Sequence, residues 1–180
     1  MTYAALNDLD VMAVDIRNAY LQVLSSRKDY VICGLEFGLE NIGKPALIRR
    51  VLYGGKTVGR DFWNHLWSCM KHLGFQSCPA DSDVWMREAV KTDSMKYWEY
   101  VLLYTNNTLV ISEKGKQVLR QELGKYFELK EELIGPPDLY LGRRMRKVQL
   151  QTGVKVWGFG SVQYVKAAVK NAENEMRRRG

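Results

Sequence analysis

The chain reads as an α+β domain: an antiparallel sheet of split βαβ order, ferredoxin-like, with its helices packed on one face. Three observations predict this class. Short apolar segments of strand length alternate with two amphipathic segments of helical period, in the order strand, helix, two strands, helix, strand. A chain of 180 residues that is 46% hydrophobic and 26% charged can bury one ordinary core. Two of the apolar runs are separated only by Tyr104-Thr105-Asn106-Asn107, a polar link of hairpin length.

The elements follow from local pattern. "DVMAVD" (10–15) is a short apolar run bounded by acids, a buried strand that ends at Asp15. "KDYVICG" (28–34) reads as a second strand, followed by a loop through Gly43-Lys44-Pro45, and "ALIRRVLYGG" runs into a glycine turn. In "RDFWNHLWSCMKHLGF" (60–75), Phe62, Leu66, Cys69, Met70 and Leu73 recur at helical spacing. "SDVWMRE" and "YWEYVLLY" read as strands, and the latter pairs with "TLVISE" across a tip at Asn106-Asn107. "KGKQVLRQELGKYFEL" (114–129) places Val118, Leu119, Leu123, Tyr126 and Phe127 on one side of a second helix. "DLYLGRRMRKVQL" and "VKVWGFG" form a strand pair around Gln151-Thr152-Gly153, and a helix capped by Ser161 ends the chain. Residues 1–160 are assigned to the domain proper and 161–180 to the C-terminal helix and its basic tail.

Composition narrows the function classes. No run of about 18 apolar residues is present, so no membrane partner is expected. "MTYAALNDLDVMAVD" acquires acids almost at once, unlike a charged-then-apolar leader. Three cysteines, Cys33, Cys69 and Cys78, are odd in number and far apart, which suits free thiols in a reducing compartment. The expectation is an intracellular protein, cytoplasmic or nuclear. A net charge of +7 permits attraction to phosphate backbones. Arg143, Arg144, Arg146 and Lys147 cluster within a patterned segment, whereas the arginines of "EMRRRG" read as a solvated end.

A carboxylate closing one central strand, with further acids at a neighbouring hairpin tip, makes a site for two divalent cations about 4 Å apart that drive in-line phosphoryl displacement. Asp15 fits the first position. "DIRNAYLQ" (15–22), "RVLYGGKTVGRDFWNHL" (50–66), "LGFQSCPADSDVWMR" (73–87), "YVLLYTNNTLVIS" (100–112), "YFELKEELIGPPDLYLG" (126–142) and "SVQYVKAAVKN" (161–171) follow one another along the chain. This succession, over nearly the whole length, resembles the palm region of copia-type LTR-retrotransposon reverse transcriptases.

The resemblance implies roles for individual residues. Asp15 would be the first metal-binding aspartate, with Mg²⁺ as the family's cofactor. Tyr20 would pack under the sugar of the incoming nucleotide. Tyr53, Gly54 and Lys56 would line the nucleotide and template side of the site. Tyr140, Leu141 and Gly142 would form the primer-grip turn, with Arg143 and Arg144 close to the primer backbone. An RNA or DNA template-primer is the implied partner. Lys130 stands where a basic residue follows the second helix, and Gly59 stands where a proline is common.

The departure falls at the hairpin. The family carries Tyr-x-Asp-Asp, and this chain carries Tyr104-Thr105-Asn106-Asn107. Asparagine matches aspartate in size and tolerates turns, so the turn is expected to form. What it lacks is the charge that offsets stripping water from Mg²⁺, so cation binding is expected to be weak or lost. Phosphoryl transfer relies on electrostatic stabilisation, and the expectation is an intact fold with a silent polymerase. Asp81 and Asp83 read as turn residues before a different strand. Relative to the family, 14 residues precede Asp15 and the chain stops in the helix after Ser161. Fingers and thumb are therefore missing from it, which leaves room for self-association or a partner chain. Two further readings stay open: a co-opted, non-catalytic nucleic-acid-binding or scaffold protein on the same fold, and a protein-interaction domain with an incidental basic face.

Overall fold

The structure is a computed structural model and describes residues 1–179, the Gln163 side chain excepted. It has the α+β class. Five antiparallel strands form the central sheet: β1 (Asp10–Asp15), β4 (Gln76–Cys78), β5 (Asp81–Val90), β6 (Lys96–Tyr104) and β7 (Asn107–Ser112), in the order β1-β7-β6-β5-β4. Since β7 is antiparallel to both its neighbours, β1 and β6 run parallel on either side of it. The chain passes between them through a two-stranded hairpin, β2 (Leu24–Ile32) and β3 (Pro45–Arg50), then helix α2 (Val58–His72), and then β4 and β5.

Strand alternation sorts the core into two layers. Met12, Val14, Ile16, Val101, Leu103 and Val110 pack with Phe62, Leu66, Cys69 and Met70 of α2 and with Val118, Leu119, Leu123 and Phe127. Val11, Leu109 and Ile111 point the other way, toward Ala4 and Met145. This second face corrects the expectation that helices occupy one face alone. It is covered by a one-turn helix, α1 (Thr2–Leu6), and by a small sheet of β8 (Leu139–Tyr140), β9 (Arg143–Gln149) and β10 (Lys155–Gly160). Helix α1 is too short to show a period, and it is fixed instead by burial of Ala4 and by the Tyr3 hydroxyl, which accepts the Trp98 N–H at 2.8 Å.

The β6–β7 hairpin forms, with its tip one residue earlier than expected. Tyr104 pairs with Asn107, so the two turn residues are Thr105 and Asn106, and Asn107 opens β7. Two-residue hairpin turns require a positive φ at their first position, and here that residue is Thr105, at φ 55°. A β-branched side chain is strained in this region. Thr105→Asn is therefore expected to raise stability by about 1 kcal/mol, read as a higher urea midpoint at unchanged slope.

The second helix also departs from its expected span. A single α-turn, α3 (Gly115–Gln117), runs directly into a π turn (Val118–Glu122) and a 3-10 turn (Leu123–Lys125). Residues 126–129 leave the helix because the end of β1 competes for their backbone. The Arg17 N–H donates to Glu128 O at 2.9 Å, the Lys130 N–H donates to Asp15 O at 3.0 Å, and Ile16 bridges to Leu129. Gly135 bridges to Ala13 further along, so this segment flanks the free edge of β1. The C-terminal helix, α4 (Val162–Arg179), starts directly after Ser161, whose carbonyl accepts the Val165 N–H at 3.0 Å.

The β2–β3 hairpin is tied to α2 by one buried carboxylate. Asp61 accepts the Ser26 N–H at 3.1 Å, the Ser26 hydroxyl at 2.8 Å and the Thr57 hydroxyl at 2.9 Å. Burial pushes this carboxyl up, but the hydrogen bonds from Ser26 and Thr57 and the nearby Arg60 guanidinium outweigh it, leaving it below its ordinary 3.8. A depressed folded value stabilises the protein above the unfolded value, and that contribution is lost as pH falls through the folded one. Asp61→Asn, which turns an amide donor toward donors, is expected to cost about 1–3 kcal/mol at pH 7. The gap between parent and variant should close only as pH drops past 3.8, measured by urea unfolding across pH; a gap independent of pH would refute the role.

Candidate active-site cleft

Asp15 ends β1 opposite Asn107, the first residue of β7. Both lie on the strand phase of Val11, Leu109 and Ile111, so their side chains face away from α2 and toward the β8–β9 side. A cleft of about 690 Å³ opens there, lined by Asp15, Asn107, Glu132, Asp138 and the Tyr140-Leu141-Gly142 turn. That turn is tight, with Leu141 at φ 48° and Gly142 at φ 75°. The second position leaves room for glycine.

Five of the residues singled out in the sequence therefore meet: Asp15, Asn107, Tyr140, Leu141 and Gly142. The others do not line this cleft. Asn106 is at the tip, where its carbonyl accepts the Ile16 N–H at 2.8 Å and its side-chain oxygen accepts from the Asn107 amide at 3.3 Å. Tyr20, on a turn after β1 (Ala19–Gln22), packs edge-on against Tyr53 at 5.1 Å and Phe62 at 5.3 Å. Gly54, at φ 86°, makes the bend between β3 and α2, and Lys56 follows it on the surface. Arg143 pairs with Tyr140 across β8 and β9. Arg144 lines a separate groove of about 480 Å³ with Arg146, Phe159 and Lys166.

The electrostatics of the cleft turn on a residue whose signal in the sequence was faint. The Lys130 ammonium donates to an Asp15 carboxylate oxygen at 3.1 Å. The pairing follows from the backbone, because the Lys130 N–H to Asp15 O bond brings the two residues side by side at the edge of β1. Glu132, which sequence reading missed, is drawn outward by Arg17 at 3.2 Å. Asp138 was also missed; its carbonyl accepts the Met145 N–H at 2.9 Å and so joins the cleft to β9. Burial, and then the charge of Asp83, push the Tyr140 phenol up to about 12, so it stays a neutral hydrogen-bonding wall across the physiological range.

Among the described residues, no three of His, Cys, Asp and Glu gather closely enough to hold a metal ion. The donor set here does not fit Mg²⁺ well on chemical grounds. Asp15 is its one central carboxylate, already neutralised by Lys130, and its neighbours at the hairpin are neutral amides. What the arrangement can do is hold an extended, hydrogen-bonding ligand between a charge-balanced strand end and a backbone turn. No protein-family model, curated protein or solved structure matches the chain.

Proposed function

We propose that this chain is the palm region of a copia-type reverse transcriptase whose polymerase is silent, retained as a surface for template-primer. The observation that carries the reading is the register. Asp15 sits directly opposite Asn107 at the end of two adjacent strands, and Tyr140-Leu141-Gly142 faces them across one cleft. A polymerase palm needs its strand aspartate, its hairpin acids and its primer-grip turn in that relation. The parallel pair β1 and β6, separated by β7 and connected through α2, agrees with the palm's split βαβ order, and the 129–135 segment takes the place of the fourth strand.

Silence follows from charge. Nucleotidyl transfer gains most of its rate from positioning and electrostatic stabilisation by bound cations. A strand end and hairpin that offer one carboxylate, paired to Lys130, with Glu132 paired to Arg17, have little to hold them. The second reading, a non-catalytic nucleic-acid-binding protein on the same fold, is favoured by the groove of Arg144, Arg146 and Lys166, three cations on one surface. Exposed apolar residues of the β2–β3 hairpin, Tyr30, Ile32 and Leu47, offer a place where a partner chain could complete the domain.

Two assays on one preparation test these readings. A labelled primer–template duplex should bind with an affinity that falls steeply with salt, by the counterion release that phosphate contacts produce. The same duplex with nucleotides and Mg²⁺ or Mn²⁺ should not be extended. Robust extension would overturn the silent-polymerase reading, and no binding even at low salt would overturn both nucleic-acid readings.

A further inference from the structure

A second pocket, of about 180 Å³, lies on the other side of the sheet, between α2, the turn carrying Tyr20, and the ends of β5 and β6. Its walls are aromatic: Tyr20, Phe62, Trp63, Trp67 and Trp85. Two of the contacts among these rings are edge-to-face, while Trp63 and Trp67 are tilted by only 31° at 6.2 Å. Tyr20 and Phe62 are 5.3 Å apart at 83°, and Trp67 and Trp85 are 6.5 Å apart at 75°. Together these rings give the pocket a wall of aromatic surface. Trp63, beside Trp67, leaves 41% of its surface exposed.

A box of this kind could take any small apolar group, and charge decides between them. Asp83 stands at the rim, exposed, and its carboxylate has no cationic partner among the described residues. Among the described residues, the cation packed against these walls is Lys71, whose ammonium sits 3.9 Å from the centre of the Trp67 ring, so that ring already receives an ammonium within the fold. The nearest arginine in sequence, Arg60, is directed to Ser26 and Asp61. Gly59 lines the pocket, and a Cβ added there would meet nothing within 4 Å, so a larger side chain is accommodated at that position.

We propose that this pocket binds an alkylammonium head group, a quaternary or multiply methylated amine, with the aromatic walls receiving its methyl groups and Asp83 balancing its charge. A cation over aromatic faces gains from the ring quadrupoles, and more so where water is excluded. The ligand enters past Gly59 and Thr105 and stops against Trp85 and Leu103, which are buried. The inference rests on the pocket alone and stands or falls independently of the palm reading.

The test is a titration of the intact protein with tetramethylammonium chloride, followed by tryptophan fluorescence and by the indole N–H signals in NMR. Sodium chloride at matched ionic strength and 2,2-dimethylpropanol, a neutral molecule of similar shape, are the controls. The cation should give a saturable response, and the neutral molecule should bind about tenfold more weakly. Asp83→Asn should weaken the cation's binding about threefold to tenfold. Gly59→Leu should abolish it by filling the mouth, while the circular dichroism and Tm stay at the parent's values. A trimethyllysine peptide and free choline, titrated in parallel, separate a protein-borne head group from a free one by which binds more tightly. Equal binding of the neutral molecule, no response to any of the cations, or a response that survives Gly59→Leu would each overturn the proposal.

Discussion

Arg87→Met should lower the unfolding free energy by about 3–5 kcal/mol. Arg87 reaches from β5 toward the end of α2 and the π turn of Val118–Glu122. Its guanidinium donates to Glu99 at 2.6 Å, to the Leu73 carbonyl at 2.8 Å and to both oxygens of Glu122 at 2.7 and 2.9 Å, and it lies 4.2 Å from the centre of the Phe75 ring. Glu99 is 3% exposed and also accepts the Ser112 hydroxyl, which contacts the Tyr97 hydroxyl at 3.2 Å. Removing the arginine leaves a buried carboxylate without its counter-charge, and that uncompensated charge is the main cost. Replacing both partners, as Arg87→Met with Glu99→Met, should recover most of the loss, because the charge left unpaired, Glu122, is partly open to water while the buried one is gone. Urea unfolding of the two single variants and the double variant measures this; additive losses in the double variant would contradict it.

The second large effect concerns the hairpin. Asn106→Asp with Asn107→Asp places one carboxylate directly opposite Asp15, at its register partner 107, and a second next to it at the hairpin tip. Without a divalent cation the variant should be less stable than the parent by about 1–2 kcal/mol, since like charges at this spacing repel and Lys130 can neutralise only one of them. With Mg²⁺ in the millimolar range the loss should be made up, because a ligand that binds only the folded state stabilises it by mass action. Adding Lys130→Ala should deepen the loss without cation and strengthen the recovery with it. Thermal unfolding in EDTA and in MgCl₂ reads both directions. A variant as stable as the parent in EDTA would mean that the hairpin acids point away from Asp15.

The strands of the central sheet were legible because their apolar residues form short runs bounded by turn chemistry. Asp10–Asp15, Lys96–Tyr104 and Asn107–Ser112 lie where the sequence places strands. The tip was misplaced by one residue for a specific reason. Asn107 has turn chemistry, but its pairing with both Tyr104 and Asp15 holds it in the ladder, and Thr105 takes the positive φ in its place. Tertiary hydrogen bonding overrode local preference again at residues 126–129, whose helical pattern gives way to bonds with the end of β1. β3 was read only as a run into a turn, because Pro45–Arg50 shows no clean alternation and is half exposed in a two-stranded sheet.

The residues that meet in the cleft were singled out through the resemblance and not through local pattern. A lone aspartate at a strand end carries no message by itself. Placing Asp15 with Asn107 and with Tyr140-Leu141-Gly142 depended on six segments following one another along the chain. The pairing of Asp15 with Lys130 joins residues 115 positions apart, and it comes from the return of the chain along the edge of β1, which no window of sequence contains. The Arg87–Glu99–Glu122 network was hidden for the same reason, since charged residues on strands and helices read as solvated unless their burial is known.

The central claim is that the hairpin keeps the geometry of a palm site and lacks its charge. Isothermal titration of Mg²⁺ into the parent and into the Asn106→Asp, Asn107→Asp variant tests it most directly. The account predicts no measurable heat of binding for the parent and a saturable, EDTA-reversible isotherm for the variant, lost again when Asp15→Asn is added. Saturable binding to the parent that depends on Asp15, or an inert variant that is folded by circular dichroism, would contradict it.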